Sequence, residues 1–141
     1  MHLEHLEHFE HTESVTTAAA PEAVWALWSD PATWSSWDPA VEEVRIGGAF
    51  AEGASGTMTL TGGIEVPVSL EAVEPGARYL DELRMGDLTI RIDHVVRPSG
   101  EGAEITVSTV ITGPGAEDVG PMVVADAPRA LSALVELAVA G

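Results

Sequence analysis

The chain contains no cysteine and no lysine. Without cysteine there is no disulfide, thiol nucleophile, zinc ribbon or iron–sulfur ligation. Without lysine, a P-loop, a Schiff base and pyridoxal chemistry are excluded as well. Positive charge is scarce: six arginines stand against 23 aspartates and glutamates, for a formal net charge of −17 at pH 7. A phosphate backbone or an anionic membrane surface is repelled by such a field, so nucleic acid is not an expected partner. Long uncharged apolar runs are missing too. The most apolar stretch, Pro121 to Ala140, is interrupted by Asp126, Arg129 and Glu136, and it fails the test of roughly 18 uncharged apolar residues for a membrane span. The N-terminus carries acids and histidines where a signal peptide needs a basic and then an apolar stretch. A cytoplasmic protein without membrane insertion is expected.

What is present is a hydrophobic fraction of 45% in 141 residues, enough for one core of the commonest domain size, with the acidity spread over a globule's surface. The first eleven residues read HLE-HLE-HFE-H, spacing His2, His5, His8 and His11 three apart with Glu4, Glu7 and Glu10 between them. Histidine and carboxylate together ligate zinc or nickel, but only where the ligands converge, and period three suits neither a strand nor an α-helix. Residues 1–8 are therefore read as a flexible arm leading into a strand from about Phe9 to Thr17, with residues 9–141 forming a single domain and no metal or cofactor.

Pro21-Glu22 opens a helix that presents Val24, Leu27 and Trp28 on one face and ends at Asp30-Pro31. A second short helix, about Ala32 to Trp37, is cut by Asp38-Pro39. Trp25 and Trp28 are expected in the core, and Trp34 and Trp37 at the mouth of a pocket. From Val41 the pattern is strand and turn until about Val119. Pro75-Gly76 suits a type II turn, Gly86-Asp87 a two-residue II′ turn, and Ser99 to Gly102 a four-residue loop. Each turn dictates a register, because opposed residues of an antiparallel pair share a face. The first turn opposes Ala72 with Tyr79, Leu70 with Asp81, Val68 with Leu83 and Val66 with Met85. The second opposes Met85 with Leu88, Leu83 with Ile90, Asp81 with Ile92 and Tyr79 with His94. The third opposes His94 with Val107, Ile92 with Thr109 and Ile90 with Ile111. Three independent turns thus yield one sheet, apolar on one side, with Glu82–Arg91 and Arg97–Glu104 on the wet side. Leu131, Leu134, Val135 and Ala138 form a helical stripe to cover the apolar side. Pro128 forbids that helix from running back to Val119, so a kink or fresh start is expected near Asp126.

This order of elements, with A-P-E-A-V-W at 20–25 and S-D-P-A-T-W-S-S-W-D-P at 29–39, resembles the START-like, or helix-grip, superfamily. The likeness is to its bacterial polyketide cyclase/dehydratase and lipid-transport branch, over about residues 8 to 140. The resemblance implies an α+β fold, a curved antiparallel sheet of about seven strands wrapped over a C-terminal helix, with two short helices after the first strand. It implies a pocket between the concave face and that helix. The His/Glu arm, the Pro128 break and the short last helix depart from the pattern. The register independently supplies a pocket wall: Val66, Val68, Leu70, Leu83, Met85, Leu88, Ile90, Ile92, Val107 and Ile111. Trp34, Trp37 and Met122 join Leu70, Leu83, Met85, Ile90, Ile92 and Val107 as expected ligand contacts.

Three polar side chains interrupt the wall: Tyr79, Asp81 and His94. Tyr79 is opposite His94 and Asp81 is diagonal to it. A neighbouring carboxylate raises an imidazole pKa and desolvation lowers it, which would poise His94 near neutrality. The preferred reading is a module that binds or carries a small hydrophobic molecule, polycyclic or acyl-chain, as a monomer or homodimer. A cyclase or dehydratase with His94 as base, Asp81 orienting it and Tyr79 donating to an oxyanion is the alternative. A structural or regulatory protein would instead fill the cavity with its own side chains.

Overall fold

A sheet with one apolar face must be covered, and the computed structural model, which describes residues 7–141, shows how. Seven strands form one antiparallel sheet: β1 (His8–Thr17), β2 (Val41–Ile46), β3 (Ser55–Leu60), β4 (Ile64–Glu74), β5 (Arg78–Met85), β6 (Leu88–Ser99) and β7 (Gly102–Thr112). Their order is β1-β7-β6-β5-β4-β3-β2. Between β1 and β2 lie α1 (Pro21–Trp28), a 3-10 turn over Pro31–Thr33, and α2 (Trp34–Trp37); α3 (Ala116–Val123) and α4 (Ala127–Ala140) follow β7. This is the expected helix-grip arrangement. His8 belongs to β1 rather than to an arm, because it pairs with Thr112. The rest of the arm up to residue 6, with His2 and His5, lies outside the described residues.

Local chemistry explains the breaks. Pro21 sits in the first turn of α1 with Glu22 beside it, where a missing N–H costs nothing and an acid meets the helix dipole favourably. The Asp30 carboxylate accepts from Ala32 N at 3.2 Å and so caps the 3-10 turn opened by Pro31. The expected second helix is therefore a 3-10 turn followed by a single α-turn. Pro128 lies in the first turn of α4, which makes it a helix start and separates α4 from α3. The stripe of α4 buries Leu131, Leu134 and Ala138.

The registers of β5 with β6 and of β6 with β7 are those the turns dictate, with Tyr79 opposite His94, Asp81 opposite Ile92 and Ile92 opposite Thr109. Gly86 takes the positive φ of 61° that a II′ turn places at its first central residue. The β6–β7 loop is tighter than expected. Ser99 pairs with Gly102, leaving two residues, and Gly100 supplies a φ of 57°. The β4–β5 pairing needs a correction. Glu74 faces Arg78 and Val73 faces Tyr79, so Ala72 meets Leu80 and not Tyr79. A bulge between Leu70 and Ala72 then restores Leu70–Asp81 and Val68–Leu83, where the pairing ends, short of Val66–Met85. Trp25 also departs from expectation: it is half-buried, its ring edge-on to Phe50 at 6.0 Å, whereas Trp28 is wholly buried.

The β1–β7 edge contains a close approach that only glycine allows. A Cβ on Gly102 would stand 1.9 Å from the Thr17 carbonyl oxygen, a backbone atom that cannot rotate away. Gly102→Ala is expected to cost about 1–3 kcal/mol of unfolding free energy, as overpacking does, measured by urea denaturation; an unchanged midpoint would contradict this packing.

Candidate functional site

Alternate residues of β5, β6 and β7 project from the concave face, and α4 does not reach across all of it. The space left is a cavity of about 430 Å³. Its apolar wall includes Leu83, Met85, Ile90, Ile92 and Val107, and Trp34 and Trp37 face it from α2. Met122 and Ile64 line it while 73% and 53% exposed, so they form part of its rim. Leu70 does not line it, contrary to expectation, and neither do Val66, Val68, Leu88 and Ile111. Leu70 sits where the β2–β3 loop closes the face: Gly53 N donates to the Leu70 carbonyl at 2.8 Å, and Phe50 packs edge-on to Tyr79 at 5.3 Å. Hairpin register assigns a residue to a face, but a loop decides which part of the face stays open.

Tyr79, Asp81 and His94 all line the cavity and are 1%, 2% and 7% exposed. Their arrangement differs from a hydrogen-bonded relay. The Tyr79 and His94 rings stack at 3.9 Å, 5° from parallel. Trp34 stacks on the tyrosine at 5.5 Å, so the tyrosine ring is held between an indole and an imidazole. Trp28 meets both Tyr79 and His94 edge-on. His94 Nδ1 stands 3.3 Å from the Tyr79 carbonyl oxygen, a contact that selects the Nδ1–H tautomer. Asp81 forms no hydrogen bond to His94. Its Oδ1 is buried without a partner, as is Trp28 Nε1.

This geometry reverses the expected electrostatics. Desolvation dominates at His94 and lowers its pKa from 6.5 to about 3, against smaller opposing hydrogen bonds from the Tyr79 and Ile92 backbone. The imidazole is neutral across the physiological range and a weak base, not poised near neutrality. Desolvation likewise raises Asp81 from 3.8 to about 8, and no paired cation offsets it. Asp81 is the group that titrates near neutrality, and at pH 7 it is chiefly a carboxylic acid. Burial also raises Tyr79 well above its ordinary value, with the Asp81 and Asp38 charges adding to it.

Two aspartates of this site were not among the expected site residues. Asp38, read as a helix terminator and as part of the motif at 29–39, lines the cavity, accepts from Ala40 N at 3.0 Å and is raised by desolvation. Asp126, read as a helix break, lines it beside Ala127 and pairs outward with Arg129. Nothing in their local spacing marks them, since both reach the cavity through chain reversals. Among the described residues no group of three or more histidines and carboxylates is placed to hold a metal; His8 and His11 pair instead with Glu10 and Glu13. No helix among them is long and apolar enough to cross a membrane.

Residues 8–139 match the family model described as polyketide cyclase/dehydrase and lipid transport. Comparison with curated proteins finds no match in sequence. Among solved structures, Ara h 8.0201 is similar with a TM-score of 0.76 at 16% identity, covering 96% of this chain and 100% of its own. Truncated norcoclaurine synthase from Thalictrum flavum is similar with a TM-score of 0.73 at 17% identity, over 97% of both chains. The di-domain ARO/CYC StfQ of the steffimycin biosynthetic pathway gives 0.78 at 12% identity, with 93% of this chain covering 50% of that one. At these identities the likeness is one of fold.

The two shifted groups pull stability in opposite directions. Asp81, raised from 3.8 to about 8, holds its proton in the folded state, so its contribution is complete below pH 3.8 and is lost as pH rises through about 8. His94, lowered from 6.5 to about 3, contributes above pH 6.5 and loses its contribution as pH falls through about 3. Between pH 3.8 and 6.5 the slopes cancel, and above pH 6.5 the Asp81 loss stands alone. From pH 6.5 to 8 the protein is expected to lose about 1–2 kcal/mol of unfolding free energy, and Asp81→Asn to abolish that loss. Denaturant titrations across this window check it; an equal slope in the variant would contradict the assignment.

Proposed function

The chain belongs to the polyketide cyclase/dehydrase and lipid transport family, and on that premise we propose that it binds and carries a small hydrophobic molecule in the cavity beneath α4. The observation that carries this reading is the unfilled space itself. About 430 Å³ is left open behind an apolar wall, above the roughly 300 Å³ that a sizeable ligand requires. A structural protein with a filled cavity would have no such space. The contacts are Trp34, Trp37, Leu83, Met85, Ile90, Ile92, Val107 and, at the rim, Met122. Exposed Met122 and Ile64 give an entering apolar molecule a surface to meet before it is enclosed. The wall suits a flat ring system or a folded chain, and one chain supplies all of it, whether the protein is a monomer or a homodimer.

Cyclisation or dehydration is the second reading, favoured by one observation: a carboxyl group that titrates at about 8 faces the cavity. The roles then differ from those expected from sequence. Asp81 would give or take the proton, Tyr79 would position a substrate oxygen, and neutral His94 would support the Tyr79 ring. With a demonstrated substrate, Asp81→Asn would abolish turnover while His94→Gln retained it; the reverse pattern would restore His94 as the base.

Carriage is tested by closing the cavity. Val107 lines it at mid-strand and is half-buried, so Val107→Phe places a ring in open space instead of against packed atoms. Binding of phenylnaphthylamine, a neutral apolar dye that brightens out of water, is expected to weaken by about tenfold or more, while stability changes by less than about 1.5 kcal/mol. Native mass spectrometry of the freshly purified protein is expected to show a co-purified small molecule that the variant lacks. Dye binding equal in both proteins would refute the site.

A further inference from the structure

The cavity wall has a charge pattern that its apolar character alone does not require. All six arginines of the chain lie outside it, and the sequence has no lysine. Three aspartates line it, Asp38, Asp81 and Asp126, and the last is matched by Arg129. Two carboxyl groups therefore face the interior with no cationic partner among the described residues. One of them, Asp81, is 2% exposed with Oδ1 unpartnered. A buried carboxyl left without a partner costs stability, and here an apolar residue in its place would have completed the wall. Building on the carrier reading above, we propose that the molecule held in the cavity is a hydrophobic amine whose ammonium group pairs with Asp81.

The surroundings favour a cation over the alternatives. Trp28, Trp34 and Trp37 line the same space, and indole rings attract a positive charge through their quadrupoles. The net charge of −17 concentrates cations around the molecule and repels carboxylates. A fatty acid would bring its anion into an interior that has two unpaired carboxyl groups and no cation among the described residues. The other titratable and hydroxyl side chains that line the cavity are Tyr79 on the same strand, neutral His94 on β6, Thr109 on β7, Thr61 after β3, Asp38 after α2 and Asp126 before α4. None of them is a cation at pH 7 that would compete with an incoming ammonium group for the carboxylate.

Proton balance follows. At pH 7 Asp81 is mostly protonated, so an ammonium ion that pairs with it displaces close to one proton to solvent. An amine that enters neutral takes that same proton and becomes the cation. For the ammonium ion, affinity rises by nearly tenfold per pH unit until Asp81 is ionised at about pH 8.

Three probes with one ring system separate the charge claim from the cavity claim. Naphthylethylamine, naphthylethanol and naphthylacetate are titrated calorimetrically into the full-length protein, in buffers of different ionisation enthalpy. The amine is expected to bind about tenfold or more tighter than the alcohol, with the acetate weakest. Its uptake should release about one proton at pH 7 and tighten toward pH 8. In Asp81→Asn the proton release and the pH dependence should vanish, and the amine should fall to the level of the alcohol. If the alcohol binds as tightly as the amine, or the substitution leaves amine affinity intact, the ion pair is refuted and the apolar carrier survives. If none of the three binds, the cavity reading fails and takes the ion pair with it.

Discussion

Opposed residues of an antiparallel ladder share a face, and this constraint is what brings three polar side chains to one place. The turn at Gly86-Asp87 sets the β5–β6 register. That register puts Asp81 beside Ile92, and Tyr79 beside His94, on the side that must be covered. A slip of one residue would send the whole set to solvent and bring Leu80, Glu82 and Arg84 inward. The apolar core, the cavity and the shifted carboxyl group all follow from a two-residue loop in which glycine supplies the positive φ.

Covering the face is the second half of the account. Pro128 divides the C-terminal helical region, and α4 is left as a helix of fourteen residues that packs on α1, α2 and β1. The aromatic residues fill one end of the concavity, where Phe50, Trp34, Tyr79, His94 and Trp28 contact one another through stacked and edge-on pairs. The other end stays open. Burial desolvates both groups, which is why Asp81 retains its proton and His94 loses its own.

Much of this was legible in the sequence because turn chemistry and strand alternation are local. The turns read at Gly86-Asp87 and over Ser99 to Gly102 led to β5–β6 and β6–β7 partners that are those found. The bulge at Glu71 was not legible, since an extra residue in one strand is a backbone adjustment that no side chain there announces. Leu70 lies on the expected face, opposite Asp81, but the loop bearing Phe50, which has no periodicity to place it, closes that part of the face. The expected pairing of His94 with Asp81 is missing for a different reason. Sequence spacing puts a carboxylate near an imidazole, but the rotamer that stacks the imidazole on Tyr79 and leaves it no carboxylate partner depends on tertiary packing. Asp38 and Asp126 were read as helix punctuation, and they are, yet the chain reversals they make also turn them toward the cavity.

The central claim is that the concave face buries an uncharged Asp81 at the edge of an open cavity. Carbon-13 NMR of the carboxyl groups in aspartate-labelled protein, titrated from acid to alkaline pH and assigned with Asp81→Asn, tests it directly. One carboxyl resonance is expected to keep the chemical shift of a protonated acid at pH 7 and to titrate at about 8, and to be absent from the variant. If the Asp81 resonance instead titrates near the ordinary aspartate value of 3.8, the carboxyl group is solvated and the account of the site is wrong.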